Sequence, residues 1–288
     1  MLLGLTHQAT SFLIMFLLAS VSSSDIEDMY ADTAPKKSVD LATQHHARLR
    51  HLRNTKRPGK KMAESQNSTE PYIIGGSQAP KGAYEWFAQS TGCGGTLVHD
   101  DIILSAAHCL DTWTGKALVG AYQSRQATYG AQFVKVSQAI RHPRYNPATV
   151  QWDFLIVVLE QPVANAKLVK LNDVHSHPAP GESLKVIGFG AQKDQPNYEY
   201  PQFLMEAELH AVGSKVCKSH FPKHDIFPEV MVCAGSSKGM DTCYGDSGGP
   251  LFKNGVQVGI TSWGDKCGST GECRAETKRC ECVDSYIH

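Results

Sequence analysis

Asp241-Thr-Cys-Tyr-Gly-Asp-Ser247-Gly-Gly-Pro250 is the stretch on which the reading of this chain turns. It sets a serine in a tight, glycine-flanked turn, with one carboxylate beside it and a second six residues upstream. A serine hydroxyl is a weak nucleophile. It becomes a strong one only where a base takes its proton and backbone N–H groups receive the oxyanion that forms. Glycines around Ser247 leave the backbone bare enough to aim two N–H groups at one spot. With a histidine and a buried aspartate elsewhere in the chain, the decapeptide is an active site. Without them it is a turn.

Both partners are present. Leu104-Ser-Ala-Ala-His108-Cys109 places a histidine just after a hydrophobic run, among small residues that let the imidazole project into a cleft. Gln151-Trp-Asp153-Phe-Leu-Ile-Val-Val-Leu159 places an aspartate just before an apolar run that reads as a buried strand. A carboxylate held there needs a strong donor. The chain order His108, Asp153, Ser247 separates one group of triad hydrolases from its convergent counterparts. With these residues the chain resembles a secreted trypsin-like serine protease of the chymotrypsin fold. Further matches run in order from Ile73 to about Cys267: Ile73-Ile-Gly-Gly76, Trp86-Phe87, Cys93-Gly-Gly-Thr-Leu97, Arg141-His-Pro-Arg-Tyr-Asn146 and Ser262-Trp-Gly264. The resemblance implies an all-β fold of two six-stranded antiparallel β-barrels, with the active site in the cleft between them.

Composition agrees. Residues 73–288 suit one large all-β domain, which can pass two hundred residues without dividing. Short β-branched and aromatic runs recur between Gly, Pro and Asn: Gly95–Val98, Ile102–Ser105, Phe133–Val136, Phe154–Leu159, Leu184–Phe189 and Val256–Trp263. Helical periodicity is confined to Ser214–Ser219. Lys and Arg number 28 against 28 Asp and Glu, so no basic field points to nucleic acid.

The N-terminal part reads differently. Phe12–Ala19 is a short apolar core followed by Ser20-Val-Ser-Ser-Ser24, which reads as a signal peptide over residues 1–23, although its leading segment lacks Lys and Arg. A membrane span needs about twenty apolar residues, and this run is shorter. Residues 24–72 are polar and charge-segregated, acidic first and basic across Arg48–Lys61, as in a removable pro-segment or linker. His45 and His46 read as solvated residues of that segment rather than metal ligands. Asn67-Ser-Thr69 is a glycosylation sequon consistent with secretion.

The resemblance also implies roles. His108 is the general base, Asp153 its orienting carboxylate and Ser247 the nucleophile, with the oxyanion received by the N–H groups of Gly245 and Ser247. Asp241 falls at the base of the primary specificity pocket, which implies cleavage after Arg or Lys, and Ser262 and Gly264 fall on the strand that pairs with substrate. A new N-terminus at Ile73, freed by an activating protease, would pair with Asp246. The preceding residue is Tyr72 rather than Arg or Lys, so self-activation is not expected. Nine cysteines leave one over. The resemblance pairs Cys93 with Cys109, Cys217 with Cys233 and Cys243 with Cys267, leaving Cys273, Cys280 and Cys282 in an atypical tail whose spacing is not a zinc pattern. That tail puts Arg274 or Lys278 where the family has a pocket glycine, so a cation could occupy the pocket. It then resumes at Val283-Asp-Ser-Tyr-Ile287 and stops at His288, where the family begins a closing helix. Ala121 and Ala131 stand where the family's calcium loop has acidic ligands, so no metal is expected there and no cofactor is implied. Protein or peptide substrates and protein inhibitors are the expected partners, acting on a secreted monomer. The other reading is a catalytically weak homologue that binds proteins through the same cleft.

Overall fold

Alternating and continuous apolar runs account for most of the strands. The computed structural model describes residues 76–173, 178–193, 198–236, 240–264, 267 and 281–284, the last four by backbone alone. The leader, the pro-segment, Asn67, Ile73, Arg274, Lys278, Cys273 and Cys280 lie outside the described residues. A short strand β1 (Ser77–Gln78) precedes the first barrel. That barrel comprises β2 (Phe87–Gln89), β3 (Gly94–His99), β4 (Ile102–Ser105), β5 (Lys116–Val119), β6 (Gln132–Arg141) and β7 (Leu155–Leu159), closed in the order β2-β3-β4-β7-β6-β5. All its pairings are antiparallel.

After β8 (Lys170–Leu171) the second barrel is built from β9 (Ser183–Gly188), β10 (Met205–Val212), β11 (Met231–Gly235), β12 (Pro250–Lys253), β13 (Val256–Gly264) and β14 (Glu281–Asp284). The ladders β9–β10, β10–β11, β11–β14, β14–β13, β13–β12 and β12–β9 return to their start. The fold is therefore two six-stranded antiparallel barrels, as expected. The tail rejoins this scheme at Glu281, two residues before Val283, and supplies the strand that closes the barrel. Among the described residues one α-helix, α1 (Ser214–His220), covers the expected helical stretch.

Burial explains the pattern. β4 is buried at every position, whereas β7 and β10 alternate inward and outward, the period of a strand with one face on a core. Leu97, Ile103, Leu155 and Val157 fill the first barrel. Leu184, Val186, Leu209 and Leu251 fill the second. A third cluster, with Phe87, Leu118, Ile187, Phe189 and Phe252, ties one barrel to the other. Its rings meet edge-on, Phe87 to Phe189 at 5.8 Å and Trp86 to Phe252 at 5.6 Å. This seam fixes the two barrels against each other, and the candidate site lies across it.

Candidate active site

Four segments converge, two from each barrel. A 3-10 helix over Ala107–Thr112 follows β4 and carries His108. Asp153 sits at the entry to β7, Ser247 in the turn before β12, and Ser262 within β13.

Asp153 is fully buried, and both its oxygens are hydrogen-bonded. Its Oδ1 accepts from the His108 backbone N–H at 2.8 Å, and Oδ2 pairs with His108 Nδ1 at 2.6 Å. Ser262 Oγ donates to the same Oδ2 at 2.6 Å. The β13–β14 register slips between Thr261 and Trp263, and such a bulge re-aims the side chain it carries. Here it turns Ser262 onto the carboxylate. An Nδ1–H donated to Asp153 leaves Nε2 as the free basic nitrogen.

Ser247 lies across the cleft, partly exposed. Its carbonyl accepts from Gly94 N–H at 2.8 Å, which ties the nucleophile's turn to β3 of the opposite barrel. Gly248 behind it has φ +77°, and a Cβ there would stand 2.3 Å from Ser105 Oγ and 2.5 Å from the Gly94 carbonyl, so only glycine fits. The turn spends some of its N–H groups and keeps others. Those of Asp246, Gly248 and Gly249 bond to Cys243, Thr261 and Asp246 carbonyls at 2.9, 2.8 and 2.9 Å. The N–H groups of Gly245 and Ser247 have no acceptor among the described residues. These are the two expected to receive an oxyanion.

One expected link is open. No hydrogen bond joins Ser247 Oγ to His108 Nε2 among the described residues, and Nε2 lies 3.6 Å from Cys109 Sγ. Such bonds are often long in unliganded sites and tighten with substrate.

Asp246 is buried and points inward, away from the cleft. Its Oδ1 accepts from Gly190 N–H at 2.8 Å and its Oδ2 from Cys243 N–H at 3.0 Å. Burial pushes its carboxyl up to about 6; the two backbone donors pull it down, and the Asp241 charge pushes it up further. A Cβ on Gly188 or Gly190 would fall 1.9 or 2.1 Å from its oxygens, so this Gly-Phe-Gly segment moulds the carboxylate's cage. The cage escaped the sequence reading, although a Gly-x-Gly closing a β-run was its signal. Asp241 is half-buried near it, and Gly264 is exposed at the end of β13.

Disulfides link Cys93–Cys109, Cys217–Cys233 and Cys243–Cys267. The first ties the histidine helix to β3, and the third ties the serine turn to the end of β13. Cys93, His108 and Cys109 crowd together, but the cysteines are spent in a disulfide. His99, Asp100 and Asp101 form a cluster at the end of β3, with His99 Nδ1 2.5 Å from Asp101 Oδ1. Ala121 and Ala131 are buried methyl groups in the inter-barrel cluster.

A buried carboxylate bonded to an imidazole thus belongs to one barrel, and a glycine-flanked serine turn belongs to the other. The family model described as Trypsin matches residues 73–284, and the chain belongs to the trypsin family of serine proteases. Human kallikrein-8 is 34% identical over 236 residues, covering 78% of this chain and 89% of kallikrein-8. The anionic trypsin of Canis lupus familiaris is 32% identical over 194 residues, covering 67% of this chain and 77% of that trypsin. Among solved structures, neuropsin, a serine protease expressed in the limbic system of mouse brain, superposes with a TM-score of 0.64 at 31% identity, covering 73% of this chain and 93% of neuropsin.

Proposed function

We propose that this endopeptidase works through His108, Asp153 and Ser247 by way of an acyl-enzyme, and cleaves after Arg or Lys. The observation that carries the reading is the buried Asp153 carboxylate, held on both oxygens by His108 and braced by Ser262. His108 Nε2 takes the Ser247 proton as Oγ bonds to the scissile carbonyl carbon. The oxyanion goes to the N–H groups of Gly245 and Ser247. The C–N bond then breaks as the imidazolium returns that proton to the leaving amine, and water repeats the sequence to free the acid. Asp153 keeps the imidazole in the useful tautomer and stabilises its charged form.

Specificity for Arg or Lys rests on Asp241, half-buried beyond the serine turn, with Ser262 and Gly264 on the strand that would align the substrate backbone. Activation rests on Ile73. A freed Ile73 ammonium would neutralise Asp246, whose carboxylate has only backbone donors among the described residues. In this reading residues 1–23 are a leader, 24–72 a pro-segment removed by another protease, and 73–288 the peptidase, secreted and acting as a monomer on protein substrates open to protein inhibitors.

The second reading, a weak enzyme that binds proteins through the cleft, is favoured by the open Ser247–His108 link. One experiment decides. In the full-length chain, residues 68–72 are replaced by Asp-Asp-Asp-Asp-Lys so that enteropeptidase frees Ile73. A serine-directed fluorophosphonate should then label the wild type and not Ser247→Ala, with turnover of Arg-ended chromogenic peptides over Tyr-ended ones. Equal behaviour of wild type and variant would sink the enzyme mechanism. Turnover of Tyr-ended peptides alone would sink the role of Asp241.

A further inference from the structure

A cavity of about 210 Å³ opens beside the serine turn, walled by Gly245, Cys93, Thr91, Phe189, Tyr200 and Arg125. Its place in the cleft follows from two contacts. Gly245 belongs to the oxyanion turn, and Cys93 is bonded to Cys109, whose Sγ lies 3.6 Å from His108 Nε2. Nε2 is the atom that hands a proton to the leaving amine. The cavity therefore lies on the leaving side of the scissile bond, away from the β13 strand on which the acyl half would lie.

Its chemistry is one-sided. Arg125 is the only charged side chain among the described residues that line it, and no described carboxylate lies within ion-pairing distance of that guanidinium. The arginine is held rather than loose. Its backbone adopts φ +57°, its N–H donates to Gln89 Oε1 at 2.8 Å, and its Nη2 donates to the Thr91 carbonyl at 3.3 Å. Gln89 is in turn fixed by Ser124 Oγ at 3.1 Å. A guanidinium carries five N–H donors in a planar fork, so donors remain for a carboxylate. Across the cavity the Tyr200 ring stands against Gly245, where a Cβ would meet its Cε1 at 3.6 Å. The ring offers an apolar ledge for a side-chain stem.

We propose that this cavity selects an acidic side chain, glutamate above all, within the first three residues after the scissile bond, and that Arg125 determines the preference. The inference rests on the serine endopeptidase mechanism proposed above. A cationic side chain in the same place would face Arg125 with no described carboxylate to offset it.

The test uses the activated full-length chain and quenched fluorogenic peptides that share one acyl half. Each of the first three leaving residues is varied in turn among Glu, Gln and Lys. The expected result is a kcat/KM for Glu about fivefold above that for Lys at one position, a modest ratio suited to an exposed pair. Raising NaCl to 1 M should shrink it. Arg125→Ala should bring the ratio near one, and Arg125→Glu should invert it. The ratio is taken within each variant, so it does not depend on how much protein is active. Should a variant fail to fold, the salt dependence of the wild type still decides. A flat scan from an enzyme that reacts with fluorophosphonate would overturn this inference alone, as would a glutamate preference that survives Arg125→Ala. No turnover and no labelling would overturn it together with the mechanism beneath it.

Discussion

Ser262 Oγ and His108 Nδ1 share one oxygen of Asp153, each at 2.6 Å, so a residue of the second barrel holds the imidazole–carboxylate pair of the first. This hydroxyl satisfies an oxygen that is fully buried. Losing one such donor costs about 1–3 kcal/mol where the acceptor stays dry. Ser262→Ala should fold and still react with fluorophosphonate, with kcat reduced roughly tenfold by a loosened carboxylate. Because Ser262 also lies on the strand expected to meet substrate, the split matters. A fall in kcat with KM unchanged supports positioning through Asp153, and a rise in KM alone would refute it.

Asp153→Asn keeps an oxygen for the His108 backbone N–H but turns an NH₂ toward a partner. Set against Nδ1, that group forces the ring's proton onto Nε2, the nitrogen that must be basic. The loss in kcat should be roughly 10⁴-fold with little change in thermal stability. Stopped assays on matched amounts of folded protein would measure it. A loss below tenfold would mean that Asp153 does not set the tautomer.

The pairing of His108 with Asp153 and the glycine-bounded turn at Ser247 were legible in residue order, because a buried carboxylate needs a donor and a tight turn needs glycines. The barrels were partly legible for a similar reason. Ile102–Leu104 is continuously apolar and opens β4. Met205–Val212 was missed. Its Met, Ala and Glu residues favour helix, yet they alternate inside and outside as β10, because packing against β9 outweighs propensity. The backbone of Trp152 was equally hidden. It takes φ +57°, rare for a bulky residue, while its ring stacks on His142 at 5.0 Å and carries the Arg144 guanidinium at 5.0 Å. Those contacts join residues eight and ten apart in a loop with no periodicity to betray them.

Gly190→Ala tests the carboxylate cage behind the serine turn. The added methyl would stand 2.1 Å from Asp246 Oδ2, and the carboxylate cannot retreat without losing the N–H groups of Gly190 and Cys243. Overpacking of this kind costs about 1–3 kcal/mol, more when a hydrogen bond goes with it. The variant should melt several degrees lower and lose fluorophosphonate labelling, since the turn bearing Gly245 and Ser247 moves with Asp246. A variant with wild-type melting and labelling would show that the cage does not shape the site.

The pH dependence of stability tests the proposed ion pair with Ile73. In the uncut chain the folded Asp246 carboxyl is pushed up to about 6, chiefly by burial, from an ordinary carboxylate value. The folded state then holds a proton that the unfolded chain releases, so stability falls as pH rises from about 4 through 6. The loss is on the order of 3 kcal/mol when complete. His142 acts the opposite way. Burial, then the Arg144 charge, lowers its imidazole to about 4, so stability is lost as pH falls from about 6.5 toward 4. The two slopes oppose each other, and a melting curve of the wild type alone would blur them. The difference between wild type and Asp246→Asn cancels the histidine. Between pH 4 and pH 7.5 the uncut wild type should lose roughly 5–10 °C relative to the variant. Cutting before Ile73 supplies an ammonium that favours the charged carboxylate, so the relative loss should vanish in the activated protein. If the cut and uncut chains gave the same pH-dependent difference, Ile73 would not be the partner of Asp246.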